Sequence, residues 1–141
     1  MIRDATHDDI PALVGMGCKF HAMSPHKFLG EYDAEAVSRM LAFMIDSPSA
    51  VVIRHDNGAI GGVMAPIYFA PGTWMIEESF WWADRDGMSL LSALEDRGRD
   101  LGASVVMMCS LDNEHSAAIG RVLSRKGYVP VERRYVKELT R

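Results

Sequence analysis

The sequence predicts one α/β domain, spanning residues 1–141, and three features predict it. Between Glu77 and Ala103 the chain reads as a strand, a tight turn and a helix. The apolar run Val105-Val106-Met107-Met108-Cys109 follows, so the unit is a strand–helix–strand crossover whose two strands are parallel. Upstream, Val51-Val52-Ile53 and Ile60-Gly61-Gly62-Val63-Met64 flank Asp56-Asn57-Gly58, a hairpin signal because Asn-Gly tolerates positive φ at both central positions. Finally, a chain of 141 residues can bury roughly 70% of its unfolded surface in one core, and 48% hydrophobic with 24% charged residues suits a globular domain.

In chain order, Ile2-Arg3-Asp4-Ala5 is a short first strand. Thr6, with Asp9 three positions on, opens a helix that carries Ile10, Leu13, Val14, Met16, Gly17 and Phe20. From His21 to Glu31, Pro25 and Gly30 interrupt regular structure, and the stretch is expected to be a loop. Asp33 caps a second helix with Val37, Met40, Leu41, Met44 and Ile45 on one face, and Ser47-Pro48-Ser49 ends it. After the hairpin, Pro66 to Thr73 reads as a turn leading into the central strand Glu77-Glu78-Ser79-Phe80-Trp81-Trp82-Ala83.

The breaker cluster Asp84-Arg85-Asp86-Gly87 precedes a helix with Leu90, Leu91, Leu94 and Leu101 at helical spacing, and Gly102 stops it as a left-handed cap. A last helix carries Ala118, Ile119, Val122 and Leu123 and ends at Gly127. Tyr128 to Leu139 closes the chain as extended structure with partial alternation. No internal repeat or low-complexity segment interrupts the pattern.

Composition narrows the function. A net charge of −4 and a pI near 5.7 argue against nucleic acid as a partner. No apolar run reaches membrane-spanning length and Arg3 and Asp4 stand where a signal peptide needs apolar residues, so a cytoplasmic protein with no membrane partner is expected. Two cysteines, Cys18 and Cys109, are too few for a disulfide framework and are expected as reduced, buried thiols. Cys18-x-x-His21 with His26 lacks further ligands, so no metal is expected. Ten methionines are read as fillers of irregular core gaps.

A crossover of this kind sets helix amide donors beside the carboxyl end of its first strand, a ready anion site. With the opening Ile-Arg-x-Ala-Thr-x-x-Asp, the strand Glu-x-Phe-Trp-Trp, Leu90-Leu91-x-x-Leu94-Glu95 and the ending Arg125-Lys126-Gly127-Tyr128, the chain resembles the GNAT superfamily of acyl-CoA N-acyltransferases, most closely its small phage-like members. The resemblance implies a mixed, mostly antiparallel central sheet with one parallel crossover and helices on both faces. It also implies acetyl-CoA as co-substrate, and a small-molecule or peptide amine as acceptor, with the His21 to Glu31 stretch on the acceptor side. Oligomeric state stays open, a homodimer included.

Site residues follow from the same resemblance, position by position. The family's Gln/Arg-x-x-Gly-x-Gly/Ala loop presents backbone amides to the diphosphate. Here its second Gly falls on Gly87, its first on Arg85 and its opening residue on Trp82, so the loop is several residues shorter than usual. The amides of Gly87, Met88 and Ser89 would hold the diphosphate, with Arg85 offsetting the charge of Asp84 and Asp86. Trp81, Trp82 and Ala83 map onto the backbone that pairs with the pantetheine arm, and Asn113 onto a further cofactor contact. Glu78 matches the Glu-x-Phe-Trp-Trp pattern as general base, whereas Glu77 is expected to share strand parity with Trp81 and Ala83. For either, burial on an apolar strand would raise the carboxyl pKa toward the working range.

Leu123 stands where the family places an acidic Tyr, leaving water, Tyr128, Ser116 or His115 to protonate the leaving thiolate. The shortened loop and Leu123 favour an alternative, a catalytically silent binding or assembly module with the same fold. A third reading is transfer of a longer acyl group, which Trp and Met side chains lining a cleft would suit.

Overall fold

In a computed structural model that describes residues 1–140, five strands form one sheet in chain order: β1 (Arg3–Asp4), β2 (Ala50–His55), β3 (Gly58–Ile67), β4 (Ala70–Ala83) and β5 (Val105–Met107). Arg141, part of the expected domain, lies outside the described residues. Neighbouring strands are antiparallel from β1 to β4, and β4 and β5 are parallel. The helices are α1 (Ile10–Met23), α2 (Ala34–Asp46), α3 (Gly87–Asp100) and α4 (Ser116–Arg125), with single 3-10 turns at His7–Asp9 and Lys27–Leu29. This is the expected mixed, mostly antiparallel sheet with one parallel crossover.

Alternation along β2 divides the interior into two layers. Val52, with Ala59 and Phe80, packs against Leu13 of α1 and Leu41 and Met44 of α2. Val51 and Ile53, with Ile60 and Ile76, pack on the other face against Leu90, Leu91 and Leu94 of α3, and Leu123 of α4 leans on that cluster. Helices therefore cover both faces, each by the apolar stripe its spacing marked.

The register of β4 on β3 slips at one place. Gly61 pairs with Phe80 but Gly62 pairs with Glu78, which leaves Ser79 as an extra residue, a β-bulge. Side chains before and after it are thrown out of phase. Ile76 belongs to the α3 layer and Phe80 to the α1/α2 layer, although an unbroken strand would set them on one face. Glycines opposite make the kink feasible, since a Cβ on Gly61 would collide with the Phe80 ring and one on Gly62 would lie 3.0 Å from Ile76.

Several expectations need correction. The β2–β3 turn sits at Asp56 and Asn57, with His55 paired to Gly58, and neither Asn57 nor Gly58 has positive φ. Gly58 is required for a different reason: a Cβ there would strike the Trp82 carbonyl of the adjacent strand. Pro66 and Pro71 lie within strands rather than in a turn, which is confined to Tyr68 and Phe69. They are tolerated because β2 pairs with β3 only as far as Val63 and β5 pairs with β4 only from Met75, so the ribbon beyond has free edges.

His21, Ala22 and Met23 belong to the last turn of α1 rather than to a loop. Cys18 and Cys109 are free as expected but exposed rather than buried. Residues 128–140 form no strand, and Val129, Val131, Tyr135, Val136 and Leu139 are exposed.

Candidate functional site

β4 and β5 pair over a short length and then part. The ladder joins Met75, Ile76 and Glu77 to Val105, Val106 and Met107, and β4 continues from Glu78 to Ala83 with no strand among the described residues beside it on that side. Backbone groups left unpaired in such a fork are ready to bond a ligand. At the point of divergence the Glu78 side chain takes over from the ladder, with Oε1 accepting the Cys109 N–H at 3.3 Å. Glu78 is half-buried, and burial pushes its carboxyl up to about 7, with the Cys109 N–H pulling the other way and nearby Glu77 adding a smaller push upward.

The bulge at Ser79 reverses the expected parity of the two acids. Trp81 and Ala83 pack in the α3 layer with Ile76, so Glu78, two residues from Ile76, shares their face. Glu77 takes the opposite one and is exposed.

Beyond the fork the chain turns sharply into α3. Asp86 occupies the N-cap position in the left-handed conformation, φ 55° and ψ 40°, and its side chain makes no capping bond. Among the described residues no side chain accepts from the first-turn amides of Gly87, Met88 and Ser89, at the helix end where partial positive charge concentrates. Gly87 is tightly enclosed, since a Cβ would stand 3.3 Å from both the Ala83 methyl and the Trp81 indole. Trp81 Nε1 donates to the Gly87 carbonyl at 3.1 Å and Ser89 Oγ donates to the Asp86 carbonyl at 2.9 Å.

Two residues that sequence reasoning missed support this turn. Lys19 of α1 pairs with Asp84 at 2.6 Å, the neutralisation expected of Arg85, which is exposed. His55, 6% exposed at the end of β2, lies 3.1 Å from the Asp86 carbonyl through Nε2 and accepts the Asn57 N–H at Nδ1, 3.0 Å. Neither contact has a local sequence signal, because each joins residues far apart in the chain.

Of the remaining candidates, Trp81 and Trp82 are both packing residues: one leans on the α3 layer, and the other stacks on Phe80 with ring centroids 4.1 Å apart. Asn113 lies in the β5–α4 connection, where its Oδ1 accepts the His115 N–H at 2.8 Å. Tyr128 is committed elsewhere: its hydroxyl donates to Glu95 at 2.8 Å, and burial with that carboxylate pushes its pKa up. It is thus a poor proton donor to a thiolate. His115 is exposed and beside Glu114, and Ser116 begins α4.

From His21 to Glu31 the chain finishes α1 and makes a 3-10 turn, with His21 against the ring of Tyr32. Among the described residues no group of three His, Cys, Asp or Glu is placed to hold a metal ion, and no helix is long and apolar enough to cross a membrane. Two recesses lie at the other end of the sheet, one of about 170 Å³ beside Arg97 and one beside Trp74 and Leu101.

No protein-family model matches the chain, and no curated protein sequence matches it. Solved structures do. A ribosomal-protein-alanine N-acetyltransferase from Brucella melitensis biovar Abortus 2308 superposes with a TM-score of 0.70 at 11% identity, over 99% of this chain and 98% of that one. An aminoglycoside acetyltransferase from an uncultured soil metagenomic sample gives 0.68 at 10% identity, over 99% and 98%. A transcriptional regulator from Bacillus halodurans C-125 gives 0.74 at 13% identity, over 99% of each chain. At such identities the likeness speaks for architecture, and one architecture serves many functions. The fold of this chain is that of the GNAT acetyltransferases.

Proposed function

We propose that the protein is an N-acetyltransferase that moves the acetyl group of acetyl-CoA to an amine by direct attack, with Glu78 as general base. The observation that carries this reading is the β4–β5 fork, where a half-buried carboxyl titrating near 7 stands at the end of the ladder. A base poised near the working pH is the kind that assists proton transfer best. Neighbours of the same fold named for acetylating an aminoglycoside and a ribosomal-protein alanine support an amine acceptor.

In this reading the free backbone from Glu78 to Ala83 holds the pantetheine arm, and the amides of Gly87, Met88 and Ser89 hold the diphosphate. Lys19 keeps the Asp84 charge from opposing that anion. Glu78 takes the proton of the amine as its nitrogen attacks the thioester carbonyl. The C–N bond forms, the C–S bond breaks, and the leaving thiolate is protonated by water, since Tyr128 is held by Glu95 and Leu123, half-buried against the α3 layer, carries no acidic proton. The competing reading, a silent binding or assembly module, draws on that same Leu123 and on the short turn.

Titration calorimetry with acetyl-CoA separates the two: micromolar binding supports the transferase, and none at millimolar ligand overturns it. Glu78→Gln is expected to slow turnover of an accepted amine by about 10²–10⁴-fold while leaving acetyl-CoA binding intact. Full activity in that variant removes Glu78 as the base. In the parent protein kcat/KM should rise with pH through about 7 as the carboxyl loses its proton.

Stability should move the other way. The folded-state value lies above the ordinary 4.5, so the folded chain holds this proton more tightly than the unfolded one. The contribution is complete at low pH and is lost as pH rises from about 4.5 to about 7. Urea denaturation of Glu78→Gln across that window should lack this slope.

A further inference from the structure

His55 is buried, polar and unused by the chemistry above, and its bonding partners fix its state. The Asn57 N–H can only donate, so Nδ1 must carry a lone pair. The Asp86 carbonyl can only accept, so Nε2 must carry the proton. Both ring nitrogens of a neutral imidazole are thereby satisfied, and the ring links the β2–β3 turn to the carbonyl of the one non-glycine residue with positive φ among those described.

One more bond joins the two turns, and another fixes the same carbonyl from within α3. Asp84 N–H donates to the Asn57 carbonyl at 3.0 Å, and Ser89 Oγ shares the Asp86 carbonyl with His55. Left-handed backbone costs an L-residue roughly 1–2 kcal/mol, less for Asp, so such a conformation persists only where its surroundings hold it. Aimed inward at His55 and Ser89, the Asp86 carbonyl stays out of the space in front of the helix start, and the next amides begin the helix directly.

We propose that His55 is a positioning residue for anion binding at the start of α3: it clamps the Asp86 carbonyl against the β2–β3 turn and so keeps the Gly87, Met88 and Ser89 amides presented to the diphosphate of acyl-CoA. This rests on the transferase reading given above. It explains how a turn too short to wrap a diphosphate can still present donors to one: the hairpin beside it supplies the rigidity that a longer loop would supply by its own bonds.

The test compares His55→Phe, which keeps a ring and removes both nitrogens, with His55→Gln, which keeps a donor able to reach Asp86. Calorimetry with acetyl-CoA should show about tenfold weaker binding for the Phe variant, a hydrogen bond's worth, and recovery to within about threefold for Gln. An acetyl-pantetheine thioester, which lacks the diphosphate, should bind all three proteins alike. In the ligand-free proteins, hydrogen exchange at residues 85–89 should be faster in the Phe variant than in the parent or the Gln variant.

A folded Phe variant that binds acetyl-CoA as tightly as the parent overturns the proposal, and so does an equal loss for the diphosphate-free thioester. A parent protein that binds no acetyl-CoA overturns the transferase reading instead. Exchange at 85–89 then decides the clamp by itself: unchanged rates in the Phe variant refute it, and faster rates uphold it.

Discussion

α2 and α3 both begin on an aspartate, and the two aspartates behave in opposite ways. Asp33 is extended, φ −102° and ψ 97°, and its carboxylate accepts the Ala36 N–H at 3.0 Å. Asp86 is left-handed, and its carboxylate caps nothing. Backbone conformation, not residue type, decides whether a side chain can fold back over the first turn. One helix start is closed by its own capping side chain; the other is held by His55 and Trp81 from neighbouring strands and by its own Ser89, and its amides are left for another acceptor.

The contrast can be broken most severely at Gly87. Gly87→Val would push branched methyls into Trp81 and Ala83, so a loss of about 1–3 kcal/mol is expected in urea unfolding, together with loss of acetyl-CoA binding. Ala34→Val, at the corresponding first position of α2, is exposed and should cost no more than about 0.5 kcal/mol.

The next largest effect is at the caps themselves. Asp33→Ala should cost about 1 kcal/mol, whereas Asp86→Gly, which loses no capping bond and suits positive φ, should stay within about 0.5 kcal/mol of the parent. By removing a negative charge it should also tighten acetyl-CoA binding. An Asp86→Gly variant as destabilised as Asp33→Ala would erase the distinction. The smallest effect is expected of Lys19→Ala: an exposed ion pair contributes under about 1 kcal/mol to folding, but freeing Asp84 should weaken acetyl-CoA binding a few-fold, most visibly at low salt.

Much of this was legible in the sequence because the signals were local. Asp33 as a cap and the Leu90, Leu91 and Leu94 stripe each depend on residues within a turn or two, and they lie where their spacing set them. Gly102, with φ 99°, likewise ends α3 as read. The hairpin is legible too, but the role of its glycine is not. Gly58 answers to the Trp82 carbonyl on a neighbouring strand, a contact that Asn-Gly as a dipeptide cannot announce.

Of the candidate site, Gly87 and Glu78 stand out by a family pattern, while a strand taken alone sets Glu77 rather than Glu78 in phase with Trp81 and Ala83. The bulge depends on which residues of β3 stand opposite, and a strand read alone carries no sign of that. His55 and Lys19 escaped notice for the same reason, since their partners lie across the fold.

Ser79 makes β4 a strand with two phases joined at a single residue. Adding or deleting one residue upstream of that joint would re-face everything before it, while Phe80, Trp81 and Trp82 kept their seats. Ile76 would leave its seat against α3 along with the acids, so the upstream half is held in phase by the core and not by the joint alone. A single unpaired serine thereby lets one strand serve both helical layers.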